Sequence, residues 1–529
     1  MLSKVRESSQ PAWWLLMFAG TLGVWALGSL IEKNSSILFF AVLVGSFGLL
    51  ICFSLPDRKQ VLTMFSAGLL VRSIVTLASW WLSKGTDYEC YTGDNEDSLR
   101  FFLMSFLDIH DSVVAAEDMG FPAVNSAITE IAGWMGGTHY LCNTQLPVTF
   151  GALFPVAAFL VARDRLNGEV ARIAGWLLAF HPIVIGWSSG LMRDTLVSTT
   201  FWLCLYYLLR FRVVSGMLTL QNVVPVLIYG AATFLLRATN LTALGACFAI
   251  VGATDCLRLG FKRVGALYIP VVLASIFVLL HTVVGERDIA RVSIQLEYGK
   301  AARETVGQTE ASVNEGGISE MIANSQSTTV LLASAPYCLI TPFPWYASFL
   351  SFEVNLARPV VFLFGLGGLL NQLLFPLYIC GLMLVTRMRR WDLLAMFGVF
   401  VGAVSVMGAM SGFQTRWTMT VAYVPMILAA SLVINTARGQ VGAQLGLWSG
   451  ASGFVLTLYI GYWLIKMVSV VLGVAFIAVI APVTLLLMAN QLSKSPRKNR
   501  PKRTSDVAAP SDNTSGDAPD AYARLEHKW

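Results

Sequence analysis

The chain has 529 residues, of which 56% are hydrophobic and only 13% are charged, with a formal net charge of +6. Soluble domains carry roughly 25% charged residues, so this composition excludes an ordinary soluble protein and favours a polytopic membrane protein. The apolar runs are about 20 residues long and do not alternate in polarity, which indicates helices and excludes a β-barrel. Residues 494–503 contain six basic residues and no acidic one, so this block accounts for much of the net charge. A basic block after the last apolar run is typical of a cytoplasmic flank and does not indicate nucleic-acid binding.

The predicted fold is all-α: a polytopic membrane bundle of about fourteen transmembrane helices with two long extracytoplasmic loops. The apolar spans cover 12–31, 37–55, 61–83, 141–162, 173–190, 195–210, 222–236, 240–257, 264–284, 360–385, 392–411, 417–434, 443–465 and 467–490. They divide the chain into an N-terminal membrane segment (1–83), an acidic loop (84–140), a central bundle (141–284), a second loop (285–359), a C-terminal bundle (360–490) and a disordered basic tail (491–529).

Basic residues give the orientation of the bundle. They fall on alternate connections between spans, at Lys4/Arg6, Arg58/Lys59, Arg163/Arg165/Arg172, Arg210/Arg212, Arg258/Lys262/Arg263, Arg387/Arg389/Arg390, Arg438 and the tail. Because basic residues are enriched on cytoplasmic connections, all of these connections are expected to face the cytoplasm. Both chain ends are then cytoplasmic, and the two long loops lie on the opposite side of the membrane.

Each long loop has one unusual segment. In the first loop, the acidic run is followed by Ser98–Leu107, which is too short to span a bilayer and rich in aromatic residues. It is predicted to lie as a helix in the membrane interface. In the second loop, three prolines fall within the apolar run from Ala335 to Trp345 and preclude a continuous helix there. This run is predicted to be re-entrant or interfacial, with an ordinary fifteenth span as the alternative.

The first loop carries the main candidate for chemistry. Asp94, Glu96 and Asp97 are clustered beside the membrane in a chain with few charges. Neighbouring carboxylates raise one another's pKa, which suits a general base. The three acids are therefore the predicted catalytic residues. The alternative is that they are helix-capping and solvated loop residues.

Cations and aromatic residues on the same predicted side are the candidates for substrate binding, since a guanidinium can clamp a phosphate and an aromatic ring can pack against a sugar or lipid. They are Arg193, Arg237, Trp345, Arg416 and Trp417, and the acid Asp194 next to Arg193 is included with them. The alternatives are a local Arg193–Asp194 ion pair and an aromatic belt anchored at the headgroups. Arg72 lies inside a predicted span and needs a partner or water.

No cofactor is predicted, because P-loop, GxGxxG and CxxC patterns are all missing from the sequence. A divalent cation is left open, since His110 and His139 share the first loop with the acids. Their spacing matches no ligand pattern, and no metal residue is assigned.

Several of these segments resemble the GT-C superfamily of integral membrane glycosyltransferases. Gly93–Asp97 is similar to the acidic motif in the first long outer loop of that family, which an interfacial helix follows. Ala171–Pro182, Arg193–Asp194 and Tyr206–Arg210 resemble the next helical hairpin, and Arg416–Trp417 before Tyr423–Pro425 is similar to a late helix of bacterial members. The resemblance covers about residues 84–430, with two departures: three spans precede the acidic loop, and Asn95 separates the acids.

The resemblance implies an inverting transfer from a sugar carried on polyprenyl phosphate, with Asp94 taking the proton of the acceptor hydroxyl. The predicted function is therefore a glycosyltransferase of the bacterial inner membrane that modifies an envelope glycan or lipid acceptor on the extracytoplasmic face. Two alternatives remain. One is an O-antigen or exopolysaccharide polymerase of the same membrane. The other is a flippase or transporter for lipid-linked glycans.

Overall fold

The computed structural model describes residues 13–87, 89–90, 97–107, 120–210, 220–237, 244, 337–340, 359–398, 401 and 422–494. These residues form helices and connections, with no strand among them. The helices are α1 (Trp13–Ile31), α2 (Ser35–Ser54), α3 (Arg58–Ser83), α4 (Asp97–Met104), α5 (Gly120–Met135), α6 (Tyr140–Arg165), α7 (Gly168–Ala179), α8 (Pro182–Ser188), α9 (Asp194–Arg210), α10 (Leu220–Leu236), α11 (Tyr337–Ile340), α12 (Pro359–Arg387), α13 (Val424–Thr436), α14 (Val441–Met467) and α15 (Val470–Lys494).

The long helices are those of a membrane protein. Seven of them, α1, α2, α3, α6, α12, α14 and α15, are long and apolar enough to cross a bilayer, and α7 with α8 would make an eighth. Large apolar side chains cover the outward faces of the peripheral helices, as on Leu30, Val471 and Leu486. Such faces suit contact with lipid tails. The predicted helical membrane protein is confirmed to this extent. All of the predicted span 264–284, most of 240–257 and of 392–411, and the tail from residue 495 onward lie outside the described residues.

Helix α6 is the centre of the bundle. In its most apolar stretch 89% of the residues are buried, against 17% in α1 and in α15. It packs against α3, α7 and α9. Small residues allow close approach at these contacts, as is common between membrane helices. Gly151 of α6, for example, faces Ser188 of α8 at a distance that leaves no room for a methyl group.

One predicted span is wrong in its geometry. Residues 173–190 were expected to form a continuous helix, whereas the structure contains α7 and α8 with a bend of 54° between them. Pro182 begins α8, and His181 before it has extended backbone (φ −67°, ψ 118°). Proline lacks an amide hydrogen and disfavours helical backbone in the residue before it, which is sufficient to break the span.

The bundle has two ends, distinguished by their charges. At the end that we call the cleft end, the Glu32 carboxylate lies 2.6 Å from Lys84 Nζ and 3.5 Å from His139 Nε2. At the basic end, Arg163 Nε lies 3.0 Å from the Asp57 carboxylate. Arg390 Nη2 also donates a hydrogen bond to the Arg165 carbonyl (2.9 Å) there.

The first long loop has more structure than the sequence predicted. The segment predicted to lie in the membrane interface forms a helix, α4, whereas α5 was not predicted. Both helices are held on α6 by a buried polar cluster: the Thr129 hydroxyl donates to Ser105 Oγ (2.8 Å), and Asn143 Nδ2 donates to Thr129 Oγ1 (3.0 Å). Each of the three elements contributes one side chain, so the loop is docked on the cleft end of the bundle.

Candidate functional site

The acidic segment reaches the described structure at its last carboxylate. Asp94 and Glu96 lie outside the described residues, whereas Asp97 is the first residue of α4. An acidic side chain in a first helical turn is stabilised by the helix dipole, which agrees with the capping role considered from the sequence. The next residue, Ser98, is completely buried. It fixes where the acidic segment meets the bundle.

Ser98 ties α4 to the connection between α8 and α9. The backbone amide of Leu191 donates to Ser98 Oγ (2.8 Å) and lies 3.2 Å from the Tyr140 hydroxyl. The Ser98 and Tyr140 hydroxyls are themselves 2.7 Å apart. All three residues are buried. The end of the acidic segment, the start of α6 and the 189–193 connection are therefore joined at one point.

Arg193 lies two residues beyond this junction. Its guanidinium carbon is 5.9 Å from the centre of the Phe101 ring on α4, within cation–π range. Phe101 also packs edge-on against Phe121 of α5, with 5.0 Å between ring centres. The predicted phosphate-binding arginine thus lies against α4, the helix that follows the predicted catalytic acids.

Asp194 and Arg237 form an ion pair. Asp194 Oδ1 lies 3.4 Å from Arg237 Nη1, and the pair joins the start of α9 to the residue after α10. Asp194 is only 3% exposed, whereas a quarter of the Arg237 side chain is exposed. With Arg193 included, this group has one net positive charge at the cleft end.

A narrow cleft opens beside this group. It is a shallow recess with room for about one water molecule. Its polar lining comes from one face of α3, from the start of α6 and from the 189–193 connection, through Thr76, Ser79, Ser83, Tyr140 and Ser189. Ser79 Oγ is buried and has no hydrogen-bond partner among the described residues. The cleft is therefore lined by hydroxyl groups that can donate and accept hydrogen bonds.

Arg72 lies near the base of the cleft, one turn before Thr76 on α3. Its Nε donates to Ser188 Oγ (2.9 Å), and its Nη1 donates to the carbonyls of Gly68 (3.0 Å) and Ala179 (3.1 Å). The Ala179 carbonyl ends α7, where a cation complements the helix dipole. The partner expected for this buried arginine is thus the break between α7 and α8.

At the mouth of the cleft, the negative charge of Glu32 is balanced by contacts with Lys84 and His139. Burial alone would raise the pKa of Glu32, but hydrogen bonds from Lys84 and Trp80 outweigh it and hold that pKa below its usual value. Burial lowers the pKa of His139, partly opposed by Glu32. His139 also caps α6, since its Nδ1 accepts a hydrogen bond from the Leu141 amide (3.2 Å). A neutral imidazole suits both contacts.

Cys90 lines the cleft but is unsuited to nucleophilic chemistry. Burial raises the pKa of its thiol to about 12, with a further contribution from Glu89. The thiolate, which is the reactive form, is then scarce at neutral pH. No three His, Cys, Asp or Glu side chains within the described part of the chain are arranged to hold a metal ion.

The structure brings together four of the nine predicted site residues: Asp97, Arg193, Asp194 and Arg237. Asp94, Glu96, Trp345, Arg416 and Trp417 lie outside the described residues. The sequence analysis missed Ser98 and Tyr140, which give no signal as single residues. It also missed the polar face of α3, although Ser73, Thr76, Ser79 and Ser83 recur at helical spacing within an apolar span.

Comparison with known proteins adds no assignment. No protein-family model matches the chain, and no curated protein is significantly similar to it. The site must therefore be interpreted from its own geometry and chemistry.

Proposed function

We propose that this protein is a glycosyltransferase of the bacterial inner membrane. It moves a sugar from a polyprenyl-phosphate carrier to an envelope glycan or lipid acceptor on the extracytoplasmic face. In this proposal the chain crosses the membrane about fourteen times, both termini are cytoplasmic, and the cleft end is extracytoplasmic. The described helices support the topology, because the predicted cytoplasmic residues Arg163, Arg165 and Arg390 lie together at the basic end.

The observation that carries the proposal is the junction of Ser98, Tyr140 and Leu191. It places the end of the acidic segment next to the connection that bears Arg193 and Asp194. Sugar transfer needs a base for the acceptor hydroxyl and cations for the leaving phosphate, within reach of one another. Among the described residues, Asp97 is such a carboxylate and Arg193 and Arg237 are such cations, at the same end of the bundle as a polar cleft.

The proposed reaction is a single displacement. The acceptor oxygen attacks the anomeric carbon, and the bond from that carbon to the phosphate oxygen breaks. A carboxylate of the acidic segment, Asp94 in our assignment, takes the acceptor proton. Polyprenyl phosphate leaves with the bonding electrons, and Arg193 and Arg237 stabilise its charge. Since Asp194 pairs with Arg237, it holds that guanidinium in position.

Substitution of the acids tests the assignment. We expect Asp94→Asn to abolish glycan modification and to lower transfer by about 10²–10⁴-fold, as for the loss of a general base, without changing expression or membrane insertion. Transfer is measured in membranes with a labelled monosaccharide on polyprenyl monophosphate. Asp87→Asn is the matched control, because Asp87 is an exposed acid of the same loop. Normal glycan profiles in Asp94→Asn, Glu96→Gln and Asp97→Asn together would overturn the role of this segment.

The same assay separates the polymerase. A polymerase would use an oligosaccharide on a lipid diphosphate and leave the monophosphate donor unused. Transfer from the diphosphate-linked donor alone would therefore replace our proposal.

A transporter is the second candidate, since one observation favours it. The break between α7 and α8 lies among buried polar groups: His181 Nε2 is 2.9 Å from Asn371 Oδ1, and Asn371 Nδ2 donates to the Tyr423 hydroxyl (3.1 Å). Discontinuous helices with polar groups at membrane depth are typical of transporters. Proteoliposomes loaded with a fluorescent lipid-linked sugar distinguish the two functions. Translocation without acceptor and without sugar transfer would support the transporter.

A further inference from the structure

A second recess lies at the basic end, away from the candidate site. It is a groove of about 1230 Å³, its open mouth included, between α7, α12 and α13. The residues that matter for its chemistry are Glu169, Arg172, Trp176, Phe180, Leu370 and Arg438. Neither the proposed transfer reaction nor the acidic loop involves any of them.

One end of the groove is positively charged. The Glu169 carboxylate contacts Arg172 through one oxygen and Arg438 through the other. Each guanidinium has five N–H donors, so one contact to Glu169 leaves donors for a ligand. The exposed fractions of the arginine side chains are 47% for Arg172 and 59% for Arg438. The trio has a net charge of +1 and is accessible.

The rest of the groove is apolar and follows the axis of α7. The Trp176 and Phe180 rings are stacked, with 5.6 Å between centres and 8° between planes. Phe180 is eight residues beyond Arg172, about 12 Å along a helix at 1.5 Å per residue. One leaflet has a hydrocarbon depth of about 15 Å, so the groove runs from headgroup level towards the bilayer centre.

We propose that this groove binds one anionic glycerophospholipid of the surrounding leaflet. Its phosphodiester contacts Arg172 and Arg438, and one acyl chain lies along Trp176 and Phe180. The apolar wall at membrane depth favours a lipid over a soluble anion. The net charge of +1 matches the single charge of a phosphodiester, whereas a phosphate monoester, as on a prenyl carrier, has about 1.5–2 negative charges.

Such a lipid would join two distant parts of the chain. Arg172 belongs to α7, and Arg438 follows α13, 266 positions later in the sequence. These helices pack against each other along the groove. A ligand that binds only the folded protein stabilises it more strongly as its concentration exceeds its dissociation constant, so lipid affinity and thermal stability should change together.

The test measures binding of phosphatidylglycerol and phosphatidylcholine to the detergent-solubilised full-length protein, by native mass spectrometry and by the shift in unfolding temperature. We expect a preference for phosphatidylglycerol that falls about tenfold or more in Arg172→Gln/Arg438→Gln, as two surface arginines allow. Arg58→Gln is the control, since it removes an exposed arginine of the same predicted membrane face that does not line this groove. It should leave the preference unchanged.

Glu169→Gln gives a prediction of opposite sign, which protects the test against a double variant that fails to fold. Removing the carboxylate raises the net charge of the trio to +2, so retention of phosphatidylglycerol should increase. Equal retention of both lipids by the wild type, unchanged retention in both groove variants, or tighter binding of polyprenyl phosphate would each overturn the proposal. Failure of the transferase proposal would leave the lipid proposal intact, because lipid binding is measured without sugar transfer.

Discussion

Replacing Gly151 with alanine tests whether close contact between α6 and α8 positions the cleft. A Cβ at residue 151 would lie 2.3 Å from Ser188 Cβ and 3.1 Å from Arg72 Nε. Carbon atoms are in optimal contact at about 3.5–4.0 Å, so a separation of more than 1 Å must be gained. Ser188 Cβ is bonded directly to the backbone and cannot rotate away, so α8 itself must move.

The expected cost follows from two opposing effects. Overpacking a well-packed core costs about 1–3 kcal/mol, and replacing glycine with alanine inside a helix returns about 0.5–1 kcal/mol. We therefore expect Gly151→Ala to destabilise the protein by up to about 2.5 kcal/mol and to leave it less stable than the control below. Gly23→Ala is the matched control, because a Cβ at Gly23 meets nothing within 4 Å. It should be neutral or stabilising.

Unfolding in detergent, followed by intrinsic tryptophan fluorescence, measures both variants. Helix α8 leads into the cleft, and its Ser188 bonds Arg72. Gly151→Ala should therefore also lower sugar transfer from the lipid-linked donor more than Gly23→Ala does. Equal stability of the two variants would refute the reasoning, since it would mean that α6 and α8 separate at no cost.

Two further predictions concern charges at the cleft end. Asp194→Asn should lower the free energy of unfolding by about 2–3 kcal/mol, which is less than for a fully buried pair because Arg237 is partly exposed. Adding Arg237→Gln to this variant should cost little more, because the pair is already broken. Additive losses from the two substitutions would contradict the pairing. The lowered pKa of His139 means that the folded state binds fewer protons than the unfolded state below about pH 6.5, so stability should fall as pH decreases through that window. Glu32, whose pKa is also lowered, adds a loss only at more acidic pH. His139→Asn keeps an N-cap on α6. In this variant the unfolding temperature should fall less between pH 7.5 and pH 5 than in the wild type, and an equal fall would contradict the assignment.

The membrane helices could be predicted from the sequence because apolar length alone defines them. Predicted boundaries such as 12–31 and 141–162 agree within three residues with Trp13–Ile31 and Tyr140–Arg165. Helix α5 was not predicted, because its buried face mixes Phe121 and Ile128 with the polar contacts of Thr129 and is too short to span a bilayer. Pro182 indicates a break at His181, but the apolar residues on both sides of it favoured the prediction of a single span.

The candidate site was predictable in its residue types but not in its arrangement. Arginines and acids stand out in a chain with few charges, which is why Asp97, Arg193, Asp194 and Arg237 were identified. Their proximity depends on contacts over long separations, such as the pair between residues 194 and 237. A single sequence has no local signal for such contacts. The residues that make the junction, Ser98 and Tyr140, are ordinary membrane-helix residues until the fold brings them together.

The connection between α8 and α9 is held from both sides before any substrate arrives. From one side, Arg72 bonds Ser188, and its burial is partly offset because it also bonds the Ala179 carbonyl at the break in the helix. From the other side, Ser98 Oγ accepts the amide of Leu191. Only one residue separates Leu191 from Arg193, so the backbone that carries the Arg193 side chain has little freedom to move. Transition-state stabilisation is most effective when the charged groups need no reorganisation, and in the proposed transferase a rigid support for Arg193 would meet that requirement.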